Sequence, residues 1–167
     1  HGRTLLGERV SDGQVLVDYM LTQPDLWKDS FVVTGNSGGG TTALFHAALD
    51  PRVSAAAVGS AFCEFKQSIM ELSHCECNYV PGILKEVEEI EEIGALVASR
   101  PMLIIHGRKD KIFPVSGVES AYERLKSYYG LFDALNAVEL QIHEGEHRYD
   151  HGRVFGFLDE KVYHSYK

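Results

Sequence analysis

The sequence predicts a single α/β domain built on a parallel sheet. Three observations carry this: apolar or β-branched runs recur at 31–33, 53–59, 101–106 and 138–143, helical spacing fills the stretches between them, and most of the runs open into turns rich in glycine or charge. At 167 residues and 44% hydrophobic content the chain is long enough to bury one core. No repeat, low-complexity stretch or composition shift divides it, so residues 1–167 are read as one domain.

Each element has a local reason. Residues 8–21 place Val10, Leu16, Val17, Met20 and Leu21 on one helical stripe, which Gln23-Pro24-Asp25 ends. The first strand runs from Phe31 through Val33 into a glycine-rich turn, and the alanine-leucine stretch 41–49 reads as the following helix. Asp50-Pro51 turns the chain into 53–59, apolar enough for a strand buried on both faces. Residues 84–93 form an acidic helix with Leu84, Val87, Ile90 and Ile93 inward and the glutamates on a solvated face. A fully apolar strand at 101–106, an amphipathic helix at 118–129, an alternating strand at 138–143 and a last helix at 153–163 complete the pattern.

If strands adjacent in sequence are adjacent in the sheet, right-handed crossovers put the connecting helices on one face. Only the last helix is then left for the other, and parallel sheets are normally covered on both. The expectation is a homo-oligomer or a complementary N-terminal segment.

Gly35-Asn36-Ser37-Gly38-Gly39 is a G-x-S-x-G sequence lying between the first strand and its helix. A serine hydroxyl is a weak nucleophile until a sharp strand-to-helix turn presents it, and the N–H of Gly38 at the helix start is placed for a developing oxyanion. A phosphate loop is the rival, because Gly35 and Gly40 bracket four residues and Thr42 holds the magnesium-hydroxyl position. Thr41 stands where that loop requires lysine, and the nucleotide reading is rejected.

A nucleophile turn requires an acid and then a histidine, each beyond a later strand. Asp110 lies in Gly107-Arg108-Lys109-Asp110 after the third strand, and His147 in Glu144-Gly145-Glu146-His147 after the fourth. Carboxyl ends of parallel strands share one edge, so Ser37, Asp110 and His147 can converge. The competing reading of Asp110 is a solvated turn residue. His106 and His143 sit in strand patterns and read as structural, and His151 reads as part of the last helix.

These segments resemble the alpha/beta-hydrolase superfamily, and within it the dienelactone hydrolase and acetyl xylan esterase-like branch. The motifs are Gly35-Asn36-Ser37-Gly38-Gly39, His106-Gly107-Arg108-Lys109-Asp110 and Gly145-Glu146-His147-Arg148, with residues 2–8 and 74–82 as branch markers. The resemblance implies a partial three-layer fold of about four parallel strands with flanking helices, its N-terminal strands and second oxyanion loop missing. It also implies Ser37 as nucleophile, Asp110 as acid, His147 as base and the Gly38 N–H as an oxyanion donor. Glu146 departs from the glycine these enzymes often carry there.

The activity implied is hydrolysis of carboxylic esters through an acyl-enzyme, with small acyl groups on carbohydrate or related alcohols favoured. Phe62, Phe65 and Phe113 are candidate pocket walls, with core packing as the competing reading. A serine peptidase, a thioesterase and a non-catalytic or partner-dependent hydrolase-like module are the alternatives.

Sixteen basic and 24 acidic residues give a net charge of −8, which disfavours nucleic acid and anionic membranes as partners. No run is long enough to span a membrane, and no leader is visible. The expected partner is a small ester, with no cofactor. Cys63, Cys75 and Cys77 are an odd set without framework spacing and read as reduced thiols in a cytoplasmic protein, secretion after removal of a leader being the alternative. The sequence opens on His1, which implies a processed, cloned or truncated start. His74-Cys75-Glu76-Cys77 lacks the second half of a zinc site, so no metal is expected. Segment 62–81 is expected beside the nucleophile instead, because it leaves the carboxyl end of the second strand.

Overall fold

The structure, a computed structural model, describes residues 2–26 and 28–163. Strands β1 (Phe31–Asn36), β2 (Val53–Gly59), β3 (Met102–Gly107) and β4 (Val138–His143) form one parallel sheet in the order β1-β2-β3-β4. Spatial order follows sequence order, so each helical crossover joins neighbouring strands. The helices are α1 (Leu5–Thr22), α2 (Gly38–Leu49), α3 (Ile90–Ala95), α4 (Val115–Gly130) and α5 (Val154–Lys161).

The central strands β2 and β3 are buried on both faces, which is why they read as unbroken apolar runs. Ala56, Val58, Met102 and Ile104 point into the larger core, with Leu44 and Ala47 of α2, Ile93 of α3, and Val118, Ala121 and Leu125 of α4. On the opposite face Ala57, Leu103 and Ile105 meet Val154 and Phe157 of α5, with Tyr149 packed alongside. The expected distribution of helices is what the sheet shows, with α5 and Tyr149 over the centre of the second face. Strand β1 is an edge, unpaired on its outer side among the described residues.

Helix α1 begins ahead of the expected start because the Thr4 side chain caps it, accepting from the Gly7 N–H at 2.9 Å. The acidic helix departs from expectation. A 3₁₀ turn occupies Ile83–Lys85, Leu84 is exposed, and regular helix runs only from Ile90 to Ala95. The physical reason is Glu89, which caps α3 and turns back to accept from the backbone N–H groups of Phe65 at 2.6 Å and Lys66 at 3.3 Å. Glu91 is buried against Arg124, so these glutamates are not all on a solvated face.

At the other end of the sheet the buried Asp50 side chain accepts from the Arg52 guanidinium at 2.7 and 2.8 Å, and Arg52 also pairs with Asp18 of α1. This ion pair ties α1, the end of α2 and the start of β2 together. The Arg52 hydrogen bonds hold the Asp50 carboxyl down to about 2, below its ordinary range. A depressed carboxylate contributes stability above its unfolded-state value of about 4 and loses it as pH falls toward 2. Asp50→Asn should therefore lower unfolding free energy at pH 7 by on the order of 2 kcal/mol in urea titrations and flatten the stability change between about pH 4 and pH 2. Equal pH dependence in both proteins would refute the assignment.

Candidate active site

The turn after β1 is forced by contact between backbones. A Cβ on Gly35 would overlap the Gly39 carbonyl, so strand end and helix start approach as only glycine permits. Between them Ser37 has φ 56° and ψ −124°, a left-handed conformation costly for a residue with a side chain. The strain is held by hydrogen bonds on both sides: the Ser37 N–H donates to Gly59 O at 2.8 Å, and its carbonyl accepts from the Thr41 N–H at 2.9 Å. Helix α2 starts at once, with Gly38 at its positive end, and no side chain caps it. Ser37 Oγ makes no hydrogen bond among the described residues, so no serine–imidazole bond is closed in this form.

Asp110 and His147 do meet. The buried Asp110 carboxylate uses Oδ1 to accept from the N–H groups of Ile112 at 2.8 Å and Phe113 at 3.1 Å, and Oδ2 faces His147 Nδ1 at 2.7 Å. This bond leaves the other imidazole nitrogen free to serve as an acceptor. Phe113 stacks on the His147 ring with centroids 5.9 Å apart.

Two further histidines act as struts. His106 is fully buried, and its Nε2 lies 2.8 Å from Phe113 O, fixing the loop that presents Asp110. Burial pushes its pKa below the usual histidine range, so the neutral ring donates from Nε2. His143 Nδ1 accepts from the Gly145 N–H at 3.0 Å, and its Nε2 lies 3.1 Å from Arg148 O, bracketing His147. Both are structural, as their strand positions imply. His151 lies before α5 rather than within it, since regular helix starts at Val154.

Segment 62–81 packs beside the turn that carries Ser37. A Cβ on Gly38 would lie 2.5 Å from Cys77 Sγ, and Asn78 Oδ1 accepts from Thr41 Oγ1 at 2.7 Å. Cys75 and Cys77 form a disulfide, which corrects the expectation of three reduced thiols; Cys63 is free and buried. Sequence spacing missed the pairing because a single intervening residue matches no framework pattern. Burial pushes the Cys63 thiol up to about 12, so it is a packing group rather than a nucleophile. His74 packs against Phe113 at 4.6 Å, and neither ring nitrogen makes a hydrogen bond, though the Ser68 and Ile112 carbonyls lie nearby. Burial lowers its pKa, and the neighbouring His147 acts in the same direction.

A cavity of about 380 Å³ lies under this segment, walled by Phe65, Ile69, Tyr79, Ile83, Ile90 and Phe113. Its wall holds none of Ser37, Asp110 and His147 and nears them through Thr41, one helical turn beyond Ser37, and through Phe113. Phe65 and Phe113 line this cavity. Phe62 does not: it is fully buried against Gly94 in the larger core, a correction to its reading as a pocket wall. Sequence reasoning gave His74 and Asn78 no role of their own; the signal was their position in the 74–82 marker segment.

A parallel sheet with a strained serine at one strand end and an Asp–His pair at two others defines a hydrolase-type fold. The chain has a partial alpha/beta-hydrolase fold, and the comparisons with known proteins agree. It is similar to YtaP of Bacillus subtilis (strain 168), a protein named as a hydrolase, with 29% identity over 131 residues, 77% of this chain and 44% of that one. Among solved structures it superposes on the methylesterase BT1017 with a TM-score of 0.74 and 25% identity, over 97% of this chain and 37% of that one. A family 15 glucuronoyl esterase from Caldicellulosiruptor kristjansonii gives a TM-score of 0.78 at 17% identity, over 96% and 51% of the two chains. The chain thus spans about half or less of these relatives. No protein-family profile matches it.

Gly35→Ala is expected to lower unfolding free energy by about 2–4 kcal/mol in urea titrations, because its Cβ meets backbone that cannot yield. Gly39→Ala, whose Cβ meets nothing within 4 Å, should change it by less than about 1 kcal/mol. Equal effects at the two positions would contradict the backbone contact.

Proposed function

We propose that the chain carries the catalytic residues of a serine esterase. Ser37 attacks the ester carbonyl, His147 takes its proton and returns it to the leaving alcohol, and water then releases the acid from the acyl-enzyme. Asp110 orients the imidazole and stabilises its cationic form. The Gly38 N–H, at the start of α2, is one oxyanion donor. The observation that carries this reading is the left-handed Ser37 on the same sheet edge as the His147–Asp110 hydrogen bond. The open serine–imidazole contact is compatible with it, since such bonds often tighten only around substrate.

Small acyl groups, acetyl esters of carbohydrates among them, are the favoured substrates. The names of the structural relatives, a methylesterase and a glucuronoyl esterase, support ester hydrolysis in general, and the acetyl preference is carried by the sequence resemblance. Phe65 and Phe113 contribute to the apolar side of the site. A second reading, a module that acts only with a complementary segment, is favoured by the unpaired outer side of β1. In that case the second oxyanion N–H comes from the partner.

Hydrolysis of p-nitrophenyl acetate by the purified chain separates the readings. Ser37→Ala and His147→Ala are each expected to lower kcat by about 10³-fold or more, with the double variant no worse, and Asp110→Asn by about 10³–10⁴-fold. Identical rates for wild type and Ser37→Ala would remove the claim for this chain and leave the partner-dependent module.

A further inference from the structure

Residues 74–78 touch both halves of the site at once. Cys77 Sγ fills the space a side chain on Gly38 would need, Asn78 accepts from Thr41 in the first turn of α2, and His74 packs on Phe113, which stacks on His147. The Cys75–Cys77 disulfide closes this segment into a small ring, and the Asn78 side-chain amide also donates to Cys75 Sγ at 3.6 Å. The two cysteines differ in access: Cys75 is exposed, whereas Cys77 is only 8% exposed and lies against the nucleophile turn.

We propose that Cys75–Cys77 is a thiol–disulfide modification site, read by dithiol reductants, whose oxidised form holds the nucleophile turn in order. A thiolate of the dithiol attacks the accessible Cys75 Sγ, breaking the S–S bond and forming a mixed disulfide. Cys77 leaves as a thiolate and takes a proton. The second thiol of the reductant then closes its own disulfide and frees Cys75, so two electrons pass from the dithiol to the protein. Once the ring opens, Cys77 is no longer tethered over Gly38, and Asn78 loses the closure that sets it against Thr41. The N–H at the oxyanion position and the first turn of α2 then fluctuate more. Small displacements of positioned groups have large effects on rate, so catalysis falls. This consequence for rate rests on the esterase reading; the change in order of the turn does not.

The experiment uses the wild-type chain equilibrated in mixtures of reduced and oxidised dithiothreitol. Maleimide labelling counted by mass spectrometry gives the thiol state, amide hydrogen exchange reports on residues 38–41, and p-nitrophenyl acetate turnover gives kcat/KM. Reduction is expected to expose two new thiols together, speed exchange at 38–41 by about tenfold and lower kcat/KM by about tenfold, all reversed on reoxidation. The buried Cys63 stays unlabelled in the folded protein, and Cys63→Ser should respond as wild type does. A Cys75→Ser/Cys77→Ser variant should exchange rapidly at 38–41 and ignore the reductant. Failure to find a reducible pair, or release of both thiols with unchanged exchange, overturns the proposal. Faster exchange with unchanged kcat/KM overturns its link to catalysis. Absence of Ser37-dependent turnover in both redox states sinks the esterase reading instead, and hydrogen exchange still decides the redox one.

Discussion

The contact on which the rest of this structure depends is the meeting of Gly35 with the Gly39 carbonyl. It leaves no room for a Cβ, bends the chain from β1 into α2 without a connecting loop, and confines Ser37 to φ 56°. Such a conformation persists only when its surroundings over-determine it. Here β2 supplies the restraint, because Gly59 O accepts the Ser37 N–H, and α2 supplies another through Thr41. The serine is thus held by a strand and a helix that are themselves packed in the core, rather than by a flexible loop.

Asp110 and His147 are presented differently, by loops stiffened by the buried His106 and the half-buried His143. His106 fastens the Asp110 loop through Phe113 O, and His143 brackets the turn carrying His147. The cost of burying the His106 ring is reduced where its Nε2 finds Phe113 O, although its Nδ1 has no partner among the described residues, and each ring here joins a strand end to the loop leaving it. Phe113 connects the two systems, being hydrogen bonded to Asp110 and His106 through its backbone and stacked on His147 through its side chain. Segment 74–78 then leans on Phe113 from one side and on Gly38 from the other.

Legibility in the sequence followed the range of the interaction. Strands β2 and β4 were readable to the residue because a continuous apolar run and an alternation of apolar and polar side chains are distinct sequence periodicities. The 84–93 helix was misjudged because its periodic leucine and isoleucines outweighed a capping contact from Glu89 to a backbone more than twenty residues away. Phe62 looked like a wall of the site and proved to be core. Its neighbour Phe65 lines the cavity, and nothing local distinguishes the two.

By itself the sequence determined the parallel α/β class and the position of Ser37 at a strand-to-helix turn, while the strand order was an assumption the structure bears out. The first two rest on patterns within a few residues or on chain connectivity, which steric and crossover rules translate directly into geometry. Only the tertiary structure decided that Asp110 and His147 lie 2.7 Å apart, that Cys75 bonds Cys77, and that this ring presses on Gly38. These are contacts between side chains whose positions are set by the packing of separate elements; strand-end loops singled out Asp110 and His147, but no local pattern records their distance or which cysteines that packing will bring together.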